Sequence, residues 1–278
     1  MSQLDEQIRE DVRKKYADIA TGRQSSCCGG SSCCSADSGH LAESLGYQAD
    51  SIANLPEDAN MGLSCGNPLA IADLKEGQRV LDLGSGGGFD VFQAGEKVKK
   101  SGHVIGVDMT SEMISKARKN IEHYQKRTGL NNVEFRLGEI EYLPVADSSI
   151  DIVLSNCVIN LSPAKQQVWN EVFRVLKSGG KVSVSDLALL KPLPDNVRTL
   201  VAALVGCIAG AVLVDETETM LKKAGFTSIK HTPNRDYVRS MVKWNEPLFR
   251  EITAALPQGE EIADYVVSLS IEAHKDNV

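Results

Sequence analysis

The stretch Val80-Leu81-Asp82-Leu83-Gly84-Ser85-Gly86-Gly87-Gly88-Phe89-Asp90 decides how this chain folds. The apolar run Arg79 to Leu83 reads as a strand, the glycines as a tight turn, and Phe89 to Val98 as a helix. Glycine lets a backbone turn sharply and approach a ligand, and the N-terminus of the helix that follows offers N–H groups not used inside the helix. That order opens a nucleotide-binding α/β unit. A second strand, His103 to Val107, ends at Asp108, where an acid can accept hydrogen bonds from both ribose hydroxyls of an adenosine.

Dinucleotide sites use G-x-G-x-x-G, with a pyrophosphate on the helix end. Here the spacing is Asp82-x-Gly84-x-Gly86-x-Gly88. It resembles the signature of S-adenosylmethionine methyltransferases, whose ligand carries an ammonium, a carboxylate and a sulfonium in place of phosphates. An acid beside the turn suits an ammonium and repels a pyrophosphate.

Outward from the turn, strands and helices alternate, which predicts a parallel sheet covered on both faces. Helices are expected at 4–20, 41–47, 111–126, 166–176, 197–208 and 215–224, with another entered at Pro68. Thr110 or Ser111 is expected to cap the helix at 111. Further strands are expected at 132–137, 149–155, 181–186, 228–231 and 265–274. The expected fold class is therefore α/β, and the resemblance implies its Rossmann-like class I methyltransferase form, with a seven-stranded, mostly parallel sheet whose last strand is antiparallel. Three parts are expected: an N-terminal helix and Cys-rich arm (1–65), a cofactor-binding core (66–190), and a C-terminal substrate-facing helix with closing strands (191–278). Ligands of open α/β sheets bind outside the carboxyl ends of the strands. That rule puts Gly138, Glu139 and Ile140 against an adenine, and Asn156 and Cys157 in the reaction zone.

The chain of 278 residues carries a net charge of −7, which argues against a broad nucleic-acid-binding surface. Met1 to Lys15 is densely charged and unlike a secretory leader, and the apolar run Leu200 to Val214 is too short to span a bilayer. The expectation is a cytoplasmic monomer with neither a membrane nor a nucleic acid as partner. Of seven cysteines, four cluster as Cys27-Cys28-Gly29-Gly30-Ser31-Ser32-Cys33-Cys34, and Cys65, Cys157 and Cys207 stand apart. In an intracellular protein such cysteines serve more often as ligands or redox groups than as disulfides. The cluster could hold zinc, shuttle electrons as a dithiol, or be incidental.

Gly-Leu-Ser-Cys65-Gly-Asn-Pro, Ser-Asn-Cys157-Val-Ile-Asn-Leu and Val-Gly-Cys207-Ile-Ala-Gly-Ala, together with the glycine turn, closely resemble the arsenite S-adenosylmethionine methyltransferases. The resemblance implies that Cys65, Cys157 and Cys207 hold As(III), delivered as arsenite or a thiol adduct. It also implies that one of Cys27, Cys28, Cys33 or Cys34 forms a disulfide with Cys65, reopened by a thiol reductant such as thioredoxin or glutathione. The cofactor pocket it implies comprises Asp82, Gly84, Ser85, Gly86, Gly88, Asp108, Met109, Gly138, Glu139, Ile140 and Asn156. Soft thiolates select a soft centre such as trivalent arsenic, and three of them leave its lone pair available as a nucleophile. Two features depart from the family pattern: the segment after Cys207 lacks an aromatic residue, and Glu139 is more acidic than an adenine contact calls for. Methylation of an organic acceptor, or metalloid or zinc storage without turnover, are the competing readings.

Overall fold

The computed structural model describes residues 3–23, 38–56, 58–202, 208–243 and 247–276. The cysteines at 27, 28, 33, 34 and 207 lie outside the described residues. Seven strands form one sheet: β1 (Arg79–Leu83), β2 (His103–Asp108), β3 (Val133–Leu137), β4 (Ile150–Asn156), β5 (Leu176–Leu189), β6 (Thr227–Asn234) and β7 (Val266–His274). Their spatial order is β3-β2-β1-β4-β5-β7-β6. β7 runs antiparallel to both neighbours, and every pair from β3 to β5 is parallel.

Side-chain alternation splits the sheet's apolar residues between two layers. Leu81, Leu83, Ile105 and Val107 pack with Trp169 and Val172 on one face, while Val80, Val104, Ile152 and Leu154 pack with Phe92 and Tyr124 on the other. Burial on both faces is why Val80, Leu81 and Leu83 of β1 are all apolar despite pointing to opposite sides, and each fully buried large side chain contributes about 2 kcal/mol of burial free energy. A third apolar cluster, which includes Cys65, Leu187, Val238 and Tyr265, lies at the β5–β7 side.

The topology locates the ligand crevice. The chain winds outward through β1, β2 and β3, then returns to place β4 on the other side of β1. The carboxyl ends of β1 and β4 therefore flank a topological switch point, where open α/β sheets leave room for a ligand. The glycine turn leaves one of these ends and Asn156-Cys157 the other.

Most expected elements occur within a few residues of their expected bounds, including the first helix, α1 (Gln3–Ala20), and the helices Phe89–Val98 and Ser111–Thr128. β5 is longer than expected at both ends, because the turn at 177–180 is hydrogen-bonded to Lys275 and the strand continues to pair with β7 as far as Leu189. The helix expected at 197–208 is described over Asp195–Ala202. Helices Arg235–Lys243 and Pro247–Ala255 had no counterpart in the expected elements. Among the described residues, no helix is long and apolar enough to cross a membrane.

Candidate active site

The turn after β1 depends on backbone that side chains would spoil. Gly84, Gly86 and Gly88 have φ of 65°, 50° and 96°, values costly for residues with a Cβ. A Cβ on Gly84 would lie 2.4 Å from Val158 Cγ2, and one on Gly86 would lie 3.2 Å from the Met61 methyl. Asp108 ties the turn down: its carboxylate accepts from Gly86 N at 3.0 Å and Thr110 N at 2.8 Å. Thr110 occupies the N-cap position of the helix Ser111–Thr128, as expected, but its hydroxyl turns to Asp108 and makes no cap hydrogen bond.

Between this turn and the end of β4 lies a cavity of about 730 Å³, counting its open mouth. Gly84, Gly86, Asp108, Met109, Ile140, Asn156 and Cys157 border it. The Ser85 hydroxyl is buried against Gly106, outside the cavity lining, and has no hydrogen-bond partner among the described residues. Glycines at the wall, where a Cβ would fill the space, and an acid at the end of β2 fit an adenosine-bearing ligand.

The remaining expected cofactor residues lie elsewhere. Asp82 is 3% exposed and sits beneath the turn, where burial and the neighbouring Asp90 and Asp108 push its carboxyl well above the usual range. Gly88 starts the helix against Phe92, and Gly138 packs on Pro144 while donating to Asp108 O at 3.0 Å. Glu139 faces α1, where Arg13 meets it at 3.1 Å. Its acidity is explained by that ion pair rather than by a base.

Helix α1 closes one side of the cavity through Arg9, Val12 and Tyr16. The Arg9 side chain is 3% exposed, and its Nε lies 3.3 Å from Glu141, itself bonded to the Ser162 hydroxyl at 2.5 Å. Of the apolar positions that mark this helix as amphipathic, Val12 reaches the cavity while Leu4 and Ile8 stay exposed, at 69% and 37%.

Asn156 stitches the crevice together. Its Nδ2 donates to Gly66 O at 3.0 Å and Asp90 Oδ2 at 3.2 Å, while its Oδ1 accepts from Cys65 N at 3.2 Å. Tyr47 donates its hydroxyl to Asp90 Oδ1 at 2.8 Å. Burial pushes the Asp90 carboxyl up to about 6 against the pull of these two donors.

The same stitching delivers the sulfurs. Cys157 adopts φ of 59°, which costs a non-glycine residue about 1 kcal/mol, and its N–H donates to Ser185 O at 2.8 Å. Cys65, wholly buried, points its Sγ at the same carbonyl, 3.5 Å away. The two Sγ atoms and a carboxylate oxygen of Asp186 lie within 4.8 Å of one another. Asp186 went unassigned in the sequence, although its place toward the carboxyl end of β5 marks it as a ligand-side residue. It accepts from Asn160 N at 3.2 Å, Asn160 Nδ2 at 2.9 Å and Leu187 N at 2.8 Å, and burial pushes it up to about 6. Cys157 borders the cavity, with the Cys65 thiol and the Asp186 carboxylate clustered behind it, and together they can bind a soft, electron-poor atom beside whatever the glycine turn holds.

Residues 74–225 match a family described as a methyltransferase domain. The chain is 44% identical to the arsenite methyltransferase of Halobacterium salinarum over 97% of its own length and 67% of that protein's. It is 40% identical to that of Aquipseudomonas alcaligenes, covering 62% of this chain and 50% of the relative, and 41% identical to the human one, covering 58% and 44%. It thus spans about two thirds of the first relative's length and about half of the other two. The crystal structure of an arsenic(III) S-adenosylmethionine methyltransferase from Chlamydomonas reinhardtii superposes with a TM-score of 0.64 at 30% identity, covering 85% of this chain and 74% of that one. On sequence and fold alike, the chain belongs to the arsenite methyltransferase family, built on a class I methyltransferase fold.

Proposed function

We propose that this chain methylates trivalent arsenic with S-adenosylmethionine as methyl donor. The observation that carries the reading is the double membership of Cys157: it pairs with Cys65 and also borders the cavity under the glycine turn. S-adenosylmethionine supplies an electrophilic methyl group on a sulfonium. The turn's N–H groups and Asp108 bind and orient that donor, and α1 shields it from water. Cys65 and Cys157, with Cys207 as third thiolate, displace the oxygens of arsenite as water and leave the arsenic lone pair exposed. Alignment of that lone pair with the methyl group supplies the catalysis, since a well-oriented pair gains several kcal/mol of pre-organisation.

Methylation formally oxidises arsenic by two electrons, and two thiols becoming a disulfide return them. Cys65 with one of Cys27, Cys28, Cys33 or Cys34 performs that relay in this reading, and thioredoxin or glutathione reopens the bond. Such reductants place the work in the cytoplasm, with arsenic detoxification as its purpose and a monomer as the working unit. Incubation with arsenite, methyl-labelled cofactor and a dithiol, followed by mass spectrometry of arsenic species, is expected to give labelled methylarsenicals. Label found only on a carbon, oxygen or nitrogen acceptor overturns the reading.

A further inference from the structure

We propose that Cys65, Cys157 and Asp186 also form a binding site for a borderline-soft divalent cation of the zinc class, which competes with arsenite for the two sulfurs. The proposal shares those sulfurs with the arsenite reading and adds the carboxylate, for which that reading has no use.

The donor set is the first reason. Zinc takes thiolate sulfur and carboxylate oxygen together, and open zinc sites carry three protein ligands and a water. The three ligand atoms lie within 4.8 Å of one another. Bonds of about 2.0–2.3 Å around a tetrahedral ion put ligands roughly 3.3–3.9 Å apart, so modest closure completes the site. The sequence alone left zinc short of ligands near these cysteines, because none of the three motifs holds a histidine. The fold supplies the missing oxygen from β5.

Charge is the second reason. Asp186 is 5% exposed, and no ion pair with it falls within 4.0 Å among the described residues. Lys165 acts on it only at longer range, its Nζ being bonded to Ser162 O at 2.9 Å. A buried carboxylate without a close cation is costly, and a divalent ion removes that cost. Arsenic bound by three thiolates is neutral and does not. Orientation is the third: Asn160 and Leu187 N–H groups fix the carboxylate from behind, as the outer partners of metal-binding carboxylates do.

The test uses the full chain carrying Cys27→Ser, Cys28→Ser, Cys33→Ser and Cys34→Ser, which removes the other clustered thiols. Cd2+ binding is read from thiolate-to-cadmium charge-transfer absorption, Zn2+ binding from competition with a chelator, and arsenite binding from equilibrium dialysis. The two ions are expected to separate. Asp186→Asn weakens Cd2+ about tenfold or more and leaves arsenite within about threefold, whereas Cys207→Ser does the reverse. Zn2+ raises the apparent arsenite Kd in proportion to its concentration. X-ray absorption of the zinc-loaded chain, which needs no further variant, is expected to show two sulfurs and two lighter ligands. Three or four sulfurs per zinc overturn the proposal, as does a Cys207→Ser chain that loses Cd2+. So does an Asp186→Asn chain that still binds S-adenosylhomocysteine and either keeps its Cd2+ affinity or loses both ions equally. Cadmium behaving as expected in a chain that never binds arsenite would remove the arsenite reading and leave this site standing.

Discussion

The two walls of the cavity are built by opposite means. The cofactor wall is local: Gly84, Gly86 and Asp108 fall within 25 residues and act through backbone N–H groups and missing side chains. The sulfur wall meets the cavity at Cys157 and is backed by Cys65 and Asp186; the three come from distant segments and act through side chains. It also carries the burdens: a non-glycine residue at positive φ and a buried carboxylate. A wall made of absences is damaged by adding atoms, and a wall made of side chains by removing them. The walls meet where Gly84 faces Val158, the residue after Cys157.

The largest expected effect separates the two. Cys157→Ser is expected to cut methyl transfer to arsenite by about 100-fold or more while S-adenosylhomocysteine binds within about threefold, measured by product mass spectrometry and calorimetry. Equal loss of both would mean that the walls are one unit. Gly84→Ala tests their junction. Its Cβ would collide with Val158 Cγ2 at 2.4 Å, so cofactor affinity is expected to fall about tenfold and stability by about 2 kcal/mol. Val158→Ala in the same chain removes the nearest methyl group and is expected to restore part of both. No recovery would locate the damage in backbone strain alone.

The same division explains what the sequence reveals. β1 and the helix Phe89–Val98 are legible because burial on both faces and a 3.6-residue period are local patterns. Asn156 and Cys157 are legible from topology, since the end of the fourth strand must face the crevice. Asp186 is hidden because its proximity to Cys65 closes a loop of 121 positions, which no local period records. Glu139 looks misplaced until Arg13, 126 positions away, is seen to meet it. The role of α1 is hidden for the same reason: Val12 announces an apolar stripe, but only the folded chain shows the cavity it covers.

That covering role gives a smaller, testable effect. Arg9 and Glu141 form a buried pair, with side chains 3% and 4% exposed. Removing one partner of such a pair costs about 3 kcal/mol, because the other charge is left uncompensated. Arg9→Ala is expected to loosen α1, raising the cofactor KM about fivefold with little change in kcat at saturation, because binding is lost equally in ground and transition states. Arg9→Met with Glu141→Gln, which removes both charges, is expected to recover most of the stability. Initial-rate kinetics on the single and double variants decide it, and an unchanged KM in Arg9→Ala would show that α1 is only packed nearby.

The smallest expected effect is a slope. Burial lifts Asp90 from 3.8 to about 6, so between those values the folded chain keeps a proton that the unfolded chain releases. Stability from this group is present at about pH 4, declines as the pH rises towards about 6, and is level above that. Asp90→Asn removes the titration. The stability of the variant relative to the parent is therefore expected to rise with pH across that window, by at most about 3 kcal/mol at 1.36 kcal/mol per pKa unit. Asp186, lifted to about 6 by its own burial, still titrates in the variant, so the slope shrinks without vanishing. Denaturant midpoints at half-unit pH steps measure it. A constant offset between variant and parent would mean that Asp90 stays ionised throughout, with Tyr47 and Asn156 holding the charge that burial opposes.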